Sequence, residues 1–249
     1  MEMNVVAIIQ ARMGSTRLPG KVMMELVGKT VLEHVITRVQ QSKLIDEIVI
    51  ATTTKLDDNA IVEEAKRLGV KCFRGSEDDV LGRYYYAAKE NKADIVVRIT
   101  SDCPLIDHQV LDEMIFEFKS LHMDKKVDYL SNTLERTFPR GLDVEVFSFK
   151  VLEESFNNAN ETYEREHVTP YIYENPEKFR LKGYMNNKDY SYHRWTLDTP
   201  EDLKLITKIY EDINSKDKLI LFNDVTNYLN VHPEVLQINN AINQKELKG

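Results

Sequence analysis

Strand-like and helix-like patterns alternate four times between Val5 and Leu121, and nothing else in the sequence restricts the fold so tightly. Val5–Ile9 is an unbroken apolar run ended by a loop containing Gly and Pro, the pattern of a strand buried on both faces. Thr30 then suits an N-cap for a helix in which Val31, Leu32, Val35, Ile36 and Val39 share one face. "DEIVIATTT" predicts a second strand ending at Ala51. "DDNAIVEEAKRLG" predicts a helix capped by Asp57 or Asp58 and stopped by Gly69. "VKCF" follows as a third strand, residues 80–90 as a helix, "ADIVVRIT" as a fourth strand and Gln109–Leu121 as the next helix. Such alternation predicts right-handed crossovers and a mostly parallel, twisted α/β sheet with helices on both faces.

Sheets of this kind bind ligands outside the carboxyl ends of their strands. Those ends are "QARMGSTR", "ATTT", "RGSEDD" and "TSDCPL", which gather Arg12, Thr52 to Thr54, Ser76, Asp79 and Asp102 on one rim. Past Tyr129 the rhythm changes. "DYLSN", "LDVEVFS" and "KFRLKGY" suit strands, while "FKVLEESFNNA" and "REHVTPYIYEN" suit helices, the second interrupted by Pro170. This mixed α+β segment, 125–195, suits a cap over the crevice or a dimer contact. "TPEDLKLITKIYEDI" is a helix with Thr199 as cap and Pro200 in its first turn, and the tail from Leu219 adds one or two more helical pieces. No linker divides the 249 residues, so a single domain, 1–249, is expected, with 1–124 as its ligand-binding half and 196–249 as its helical end.

The net charge of -8 argues against nucleic acid as a partner, because such binding needs a basic surface. No apolar run approaches a membrane span. The acidic Glu2 ahead of Val5 disfavours a signal peptide. Cys72 and Cys103 lack metal-ligand spacing and are expected to be reduced thiols in a cytoplasmic protein.

Against this acidic background the opening loop stands apart. From Met3 through Met24 there is no Asp or Glu, while Arg12, Arg17 and Lys21 flank Gly14-Ser15-Thr16. Small residues let backbone N–H groups face an anion, and cations neutralise the remaining charge. The P-loop pattern fails here, since Gly14 lies one residue too far from Gly20 and Val22 replaces the magnesium-binding hydroxyl. No G-x-G-x-x-G is present either. Arg12, Arg17 and Lys21 are therefore candidate cations for a small anionic ligand, a phosphate in particular.

Hard oxygen ligands suit magnesium, which takes one or two carboxylates plus phosphates and waters. Asp102, after the fourth strand, could supply one or could accept in an Asx-turn before Pro104. Asp198 could supply another or could cap the helix after it, although Thr199 already fits that role. An acidic partner would need a cation for its carboxylate and hydrogen bonds for its hydroxyls. Candidates are Arg140, Asp143 and Glu145 in "PRGLDVEV", Arg165 and His167 in "REHVTP", and Arg194. Asp143 and Glu145 would share a strand face. His167 suits either a general base or a structural role. Arg83 suits a pair with Asp79, and Tyr84-Tyr85-Tyr86 suits packing rather than base stacking.

"QARMGSTRLPGK" closely resembles the N-terminal signature of bacterial sugar-acid cytidylyltransferases. The likeness is strongest to the spore-coat polysaccharide biosynthesis branch, related to CMP-KDO and CMP-sialic acid synthetases. It continues in order through "GSEDDVLGRYYYAA", "VVRITSDCPLID", "YLSNT", "FPRGLDVEVFS", "REHVTPYIY" and "RWTLDTPEDL", covering about residues 4–210. The resemblance implies a GT-A-like nucleotidyltransferase fold. It implies attack of an acidic sugar's oxygen on the α-phosphorus of CTP, giving a CMP-sugar and pyrophosphate with Mg2+. It also implies that Asp102 and Asp198 carry the metal, that Arg12, Lys21 and Asp102 are catalytic, and that Ala11, Arg12, Gly14, Ser15, Arg17, Lys21, Thr52, Ser76, Asp79 and Ser101 surround the nucleotide. A homodimer through the mixed segment is expected. The alternatives are a glycosyltransferase of the same fold, which should carry Asp-x-Asp where this chain has Ser101-Asp102-Cys103, use of another nucleoside triphosphate, or a non-enzymatic nucleotide-binding module.

Overall fold

Residues 3–213 and 219–244 are described by the structure, a computed structural model; Glu2 lies outside them. The predicted alternation is present as β1 (Val5–Gln10), α1 (Val31–Val39), β2 (Glu47–Thr53), α2 (Asn59–Arg67), β3 (Lys71–Gly75), α3 (Val80–Glu90), β4 (Ile95–Thr100) and α4 (His108–Met123). β2 runs past the expected Ala51 because Thr52 and Thr53 still pair with Arg74 and Gly75 of β3. β1 lies parallel to both β2 and β4.

The mixed segment does not stand apart from this sheet. It supplies β5 (Tyr129–Ser131), β6 (Glu145–Ser148), α5 (Phe149–Asn158), α6 (Thr162–His167), α7 (Pro170–Tyr173) and β7 (Leu181–Gly183), and the chain ends with α8 (Pro200–Ile213), α9 (Phe222–Val231) and a 3-10 turn, Pro233–Ile238. The single seven-stranded sheet has the order β3-β2-β1-β4-β6-β5-β7. β6 runs antiparallel to β4 and β5, and β7 is parallel to β5. Pro170 separates α6 from α7, as its missing N–H requires.

β1 shows why a wholly apolar strand is needed. Val5, Ala7 and Ile9 enter the core under α1, α4 and α8, whereas Val6 and Ile8 enter the core under α3 and α5. All five side chains are fully buried. Each of the four buried Val and Ile side chains contributes about 1.5–3 kcal/mol on leaving water. Tyr84 and Tyr85 also pack, as expected: the Tyr84 hydroxyl donates to the carbonyls of Ile8 and Ile99, and Tyr85 stacks on Phe156. Both cysteines are free thiols.

The caps follow the sequence with one exception. Thr30 accepts from the N–H of Glu33, and Thr199 accepts from the N–H of Asp202. Asp58, expected to cap α2, makes no capping bond. Its buried carboxylate accepts instead from the N–H of Met13 at 2.7 Å and from the Thr53 hydroxyl, pinning the opening loop to β2. The strand order turns back at β1, with β2 on one side and β4 on the other. The loops after β1 and β4 therefore face each other across a switch-point crevice.

Candidate active site

The opening loop folds back on itself around one carbonyl. Met13 O accepts from the N–H groups of Ser15 (2.9 Å) and Gly20 (3.0 Å), and the Ser15 hydroxyl accepts from the N–H of Leu18 (3.3 Å). Gly20 closes the loop at φ 70°, a left-handed conformation that costs glycine little. The N–H groups of Gly14, Thr16 and Arg17 meet no protein acceptor among the described residues. The 3-10 turn Lys21–Met23 then delivers Lys21 into the crevice.

There the Lys21 ammonium donates to Asp102 Oδ2 at 2.8 Å and to Asp198 Oδ1 at 2.7 Å. Asp102 is positioned by the loop after β4, where the Thr100 hydroxyl donates to its Oδ1 at 2.5 Å. Asp198 is brought opposite because the extended segment before α8 is tied to that same loop, Leu197 N–H donating to Asp102 O at 2.8 Å. The far oxygen of Asp198 accepts from Arg17 at 2.8 Å and from Arg194 at 2.9 Å. Arg194 also grips Asp202, Nε to Oδ1 and Nη2 to Oδ2, both at 3.0 Å. Three cations thus face three carboxylates.

Burial works against the charges of Lys21 and Asp102, and mutual attraction outweighs it. For Lys21, burial alone would favour the neutral amine, yet the charges and hydrogen bonds of Asp102 and Asp198 hold its pKa above the usual lysine value. For Asp102, burial favours the protonated acid, but the Lys21 charge and hydrogen bonds from Lys21 and Thr100 keep it ionised well below the ordinary carboxylate range.

The other expected residues divide into three groups. Ala11 and Ser101 are buried at the strand ends, bound by their N–H groups to Ala51 O and Gln10 O. Thr52 is fully buried near the end of β2, its hydroxyl without a hydrogen-bond partner among the described residues. Arg12, partly exposed, lies 3.8 Å from Glu77, which also pairs with Lys55 and lies beside Gly14. Ser76 is exposed at the loop before α3, its carbonyl accepting from Arg83. Arg83 therefore holds the carbonyls of Ser76 and Glu77 rather than pairing with Asp79.

Asp79 instead caps α3 through the N–H of Gly82 and receives both ends of the Arg165 guanidinium, at 2.9 and 2.5 Å. Glu145 is buried in a 2.7 Å pair with Arg98, its register partner on β4. Asp143 precedes β6 and pairs with Arg136 at 2.6 Å, so the two acids do not share the expected strand face. The apolar neighbours of Glu145 are buried on both sides, which makes period-two alternation uninformative there. His167 ends α6, half-buried. Arg140 differs from these. Its backbone pairs with the Arg194 segment, yet among the described residues its guanidinium makes no hydrogen bond or ion pair. Burial, together with repulsion from Arg136 and Arg194, lowers its pKa.

Sequence reasoning missed Asp202, Asn239 and Gln244, which hold Arg194, and it weighed Arg194 only for a substrate acid. The Thr199-x-x-Asp202 spacing is a capping-box pattern and could have flagged Asp202. No local signal marks the other two. Among the described residues, no group of three or more His, Cys, Asp or Glu is placed to hold a metal, and no helix is long and apolar enough to cross a membrane.

The family model described as cytidylyltransferase matches residues 6–226. An uncharacterized protein of Methanocaldococcus jannaschii is 40% identical, over 99% of this chain and 98% of its own length. The spore coat polysaccharide biosynthesis protein SpsF of Bacillus subtilis is 34% identical, over 88% of this chain and 94% of its own. The solved structure of a cytidylyltransferase from Leptospira borgpetersenii has a TM-score of 0.89 at 39% identity, covering 98% of this chain and 99% of the other.

Proposed function

The chain belongs to the cytidylyltransferase family, and on that premise we propose that it moves CMP from CTP to an acidic sugar or related acid, releasing pyrophosphate with the help of Mg2+. The observation that carries this reading is the convergence of Asp102 and Asp198 on one cation, Lys21. Carboxylates that share an ammonium can share a divalent ion, and two hard carboxylates with room for phosphate oxygens are a donor set magnesium accepts. A bound ion would screen charge on the α-phosphate and on the leaving pyrophosphate.

The protein's own part is positioning. The triphosphate lies over the N–H groups of Gly14, Thr16 and Arg17. Lys21, Arg17 and Arg12 supply the positive charge that the surrounding acidic surface lacks. Lys21 exchanges its carboxylates for the β- and γ-phosphates and thereby stabilises charge as the bond between the α-phosphorus and the bridging oxygen breaks. The acceptor oxygen forms the new bond to the α-phosphorus in line with that departure. Arg140, the guanidinium left without an acceptor, takes the acceptor's carboxylate. Ser15, Ser76, Asp79 and Ser101 border the nucleotide, and Arg165 holds the Asp79 carboxylate in place beside it. The reaction belongs in the cytoplasm with its triphosphate, and the sheet's free edge at β7 suits contact with a second copy.

Pyrophosphate release tests the proposal. Each nucleoside triphosphate is incubated with Mg2+, Mn2+ or chelator and with a panel of sugar acids and their neutral analogues. Release should need CTP, a divalent ion and an acidic acceptor together. Equal release with another triphosphate, or with neutral sugars, would overturn it.

A further inference from the structure

We propose that the C-terminal segment is a positioning element of the catalytic site: Asn239 and Gln244 hold Arg194 and Asp202 in the one arrangement that aims Asp198 into the crevice. The proposal rests on the reading of Asp198 as a metal ligand and adds residues that lie past position 226, where the family match ends.

Every donor of the Arg194 guanidinium that touches the site is accounted for. Nη2 reaches Asp198 at 2.9 Å, Nε and Nη2 reach Asp202, and Nη1 reaches Gln244 Oε1 at 2.6 Å. Asp202 is fully buried. Its Oδ2 accepts from the N–H groups of Asp198 and Thr199, both at 3.0 Å, which fixes the backbone that carries the Asp198 side chain. Its Oδ1 accepts from Arg194 and from Asn239 Nδ2 at 2.8 Å. The second hydrogen of that same amide goes to the Arg194 carbonyl at 3.0 Å. Asn239 therefore ties the backbone of Arg194 to the carboxylate that anchors Arg194's own side chain.

The tail reaches this point by packing. Val235 of the 3-10 turn is buried against the core that holds Ile220, Val225 and Leu229, and the turn ends at Ile238, directly before Asn239. Asn239 is 6% exposed, so its two bonds are made without competing water. When a polyphosphate draws Lys21 and Arg17 away, Arg194 is the cation that remains on Asp198. A guanidinium held on three sides keeps that carboxylate in place; one held on a single side does not.

Groups behind a ligand typically change metal affinity or activity about ten- to a hundredfold when removed. Full-length Asn239→Ala should lose that much Mn2+ affinity, read by the free Mn2+ signal in electron paramagnetic resonance with a non-hydrolysable CTP analogue present, while the KM for CTP stays unchanged. Gln244→Ala, at an exposed residue whose loss leaves no cavity, should move the same way by less, and it carries the test if Asn239→Ala does not fold. Combined with Arg194→Lys, the Asn239→Ala loss should be non-additive, because both act through one guanidinium. Wild-type Mn2+ binding in both tail variants, beside lost binding in Asp198→Asn, would overturn the proposal and leave the metal site standing. Wild-type Mn2+ binding in Asp198→Asn would overturn the metal reading itself.

Discussion

The two ends of the crevice handle charge in opposite ways. Where the opening loop meets the segment before α8, Lys21 bridges Asp102 and Asp198, Arg194 bridges Asp198 and Asp202, and Arg17 adds a third cation to Asp198. On the side built from the mixed segment, charges are spent in isolated pairs: Arg98 with Glu145, Arg136 with Asp143, Arg165 with Asp79. Arg140 alone among the candidate residues there is left without an acceptor. A bridged network exchanges partners when a polyanion arrives, because Lys21 and Arg194 already divide their attraction between two carboxylates. Isolated pairs form a fixed wall, and selectivity then falls to the one cation that is unspent.

The largest effect should come from breaking the bridge. Lys21→Ala removes the one side chain that, among the described residues, pairs with both Asp102 and Asp198. Loss of one transition-state contact of this kind costs about a hundredfold to a thousandfold in turnover, or about 3–4 kcal/mol. The variant also leaves two partly buried acids facing each other. Added Mn2+ should therefore raise its melting temperature more than that of the wild type, as any ligand of the folded state does. Near-wild-type turnover in stopped assays of pyrophosphate release would mean that the two ends do not differ as described.

How much of this was legible in the sequence depended on range. β1 through β4 could be read because buried parallel strands must be apolar throughout, and Gly20 and Gly69 mark ends that only a left-handed residue fits easily. Asp102 and Asp198 could be read because each sits where a strand ends or a helix begins while Thr199 already fills the capping role. Lys21 was legible as a candidate cation of the opening loop, but its bridging was not, since that joins residues 81 and 177 positions away. The Arg165–Asp79 pair spans 86 positions and put two residues assigned to different ligands on each other. Asn239 lies in a tail without periodicity, and only the folded chain brings it to Asp202.

A smaller effect sits at the seam between the two ends. His193 is buried among Tyr190, Tyr192 and Trp195, and its carbonyl accepts from the N–H of Arg140. Burial, with some repulsion from Lys188, lowers its pKa to about 4. The unfolded chain, with histidine near its ordinary 6.5, therefore binds the proton more readily between those values. Stability should be full above pH 6.5 and should fall as pH drops toward 4, by up to about 3 kcal/mol. Urea midpoints across this window should slope upward with pH in the wild type and flatten in His193→Phe, which keeps a ring in the same packing. An unchanged slope would place the titrating group elsewhere.

The finest test concerns the unspent cation. A hydrogen bond to a charged group contributes about 1.5–3 kcal/mol, so Arg140→Gln should raise the KM for an acidic acceptor about tenfold or more. The KM for CTP and the dependence on divalent ion should not move, because among the described residues no hydrogen bond or ion pair joins Arg140 to Lys21, Asp102 or Asp198. Arg140→Lys keeps the charge but loses the planar fork, and should fall between the two. The comparison of the two ends makes a further demand: Asp143→Asn, which frees Arg136 beside Arg140, should not weaken the acceptor and should bind it at least as well. A matched loss in Asp143→Asn and Arg140→Gln would show that the wall pairs, rather than the single free guanidinium, select the acid.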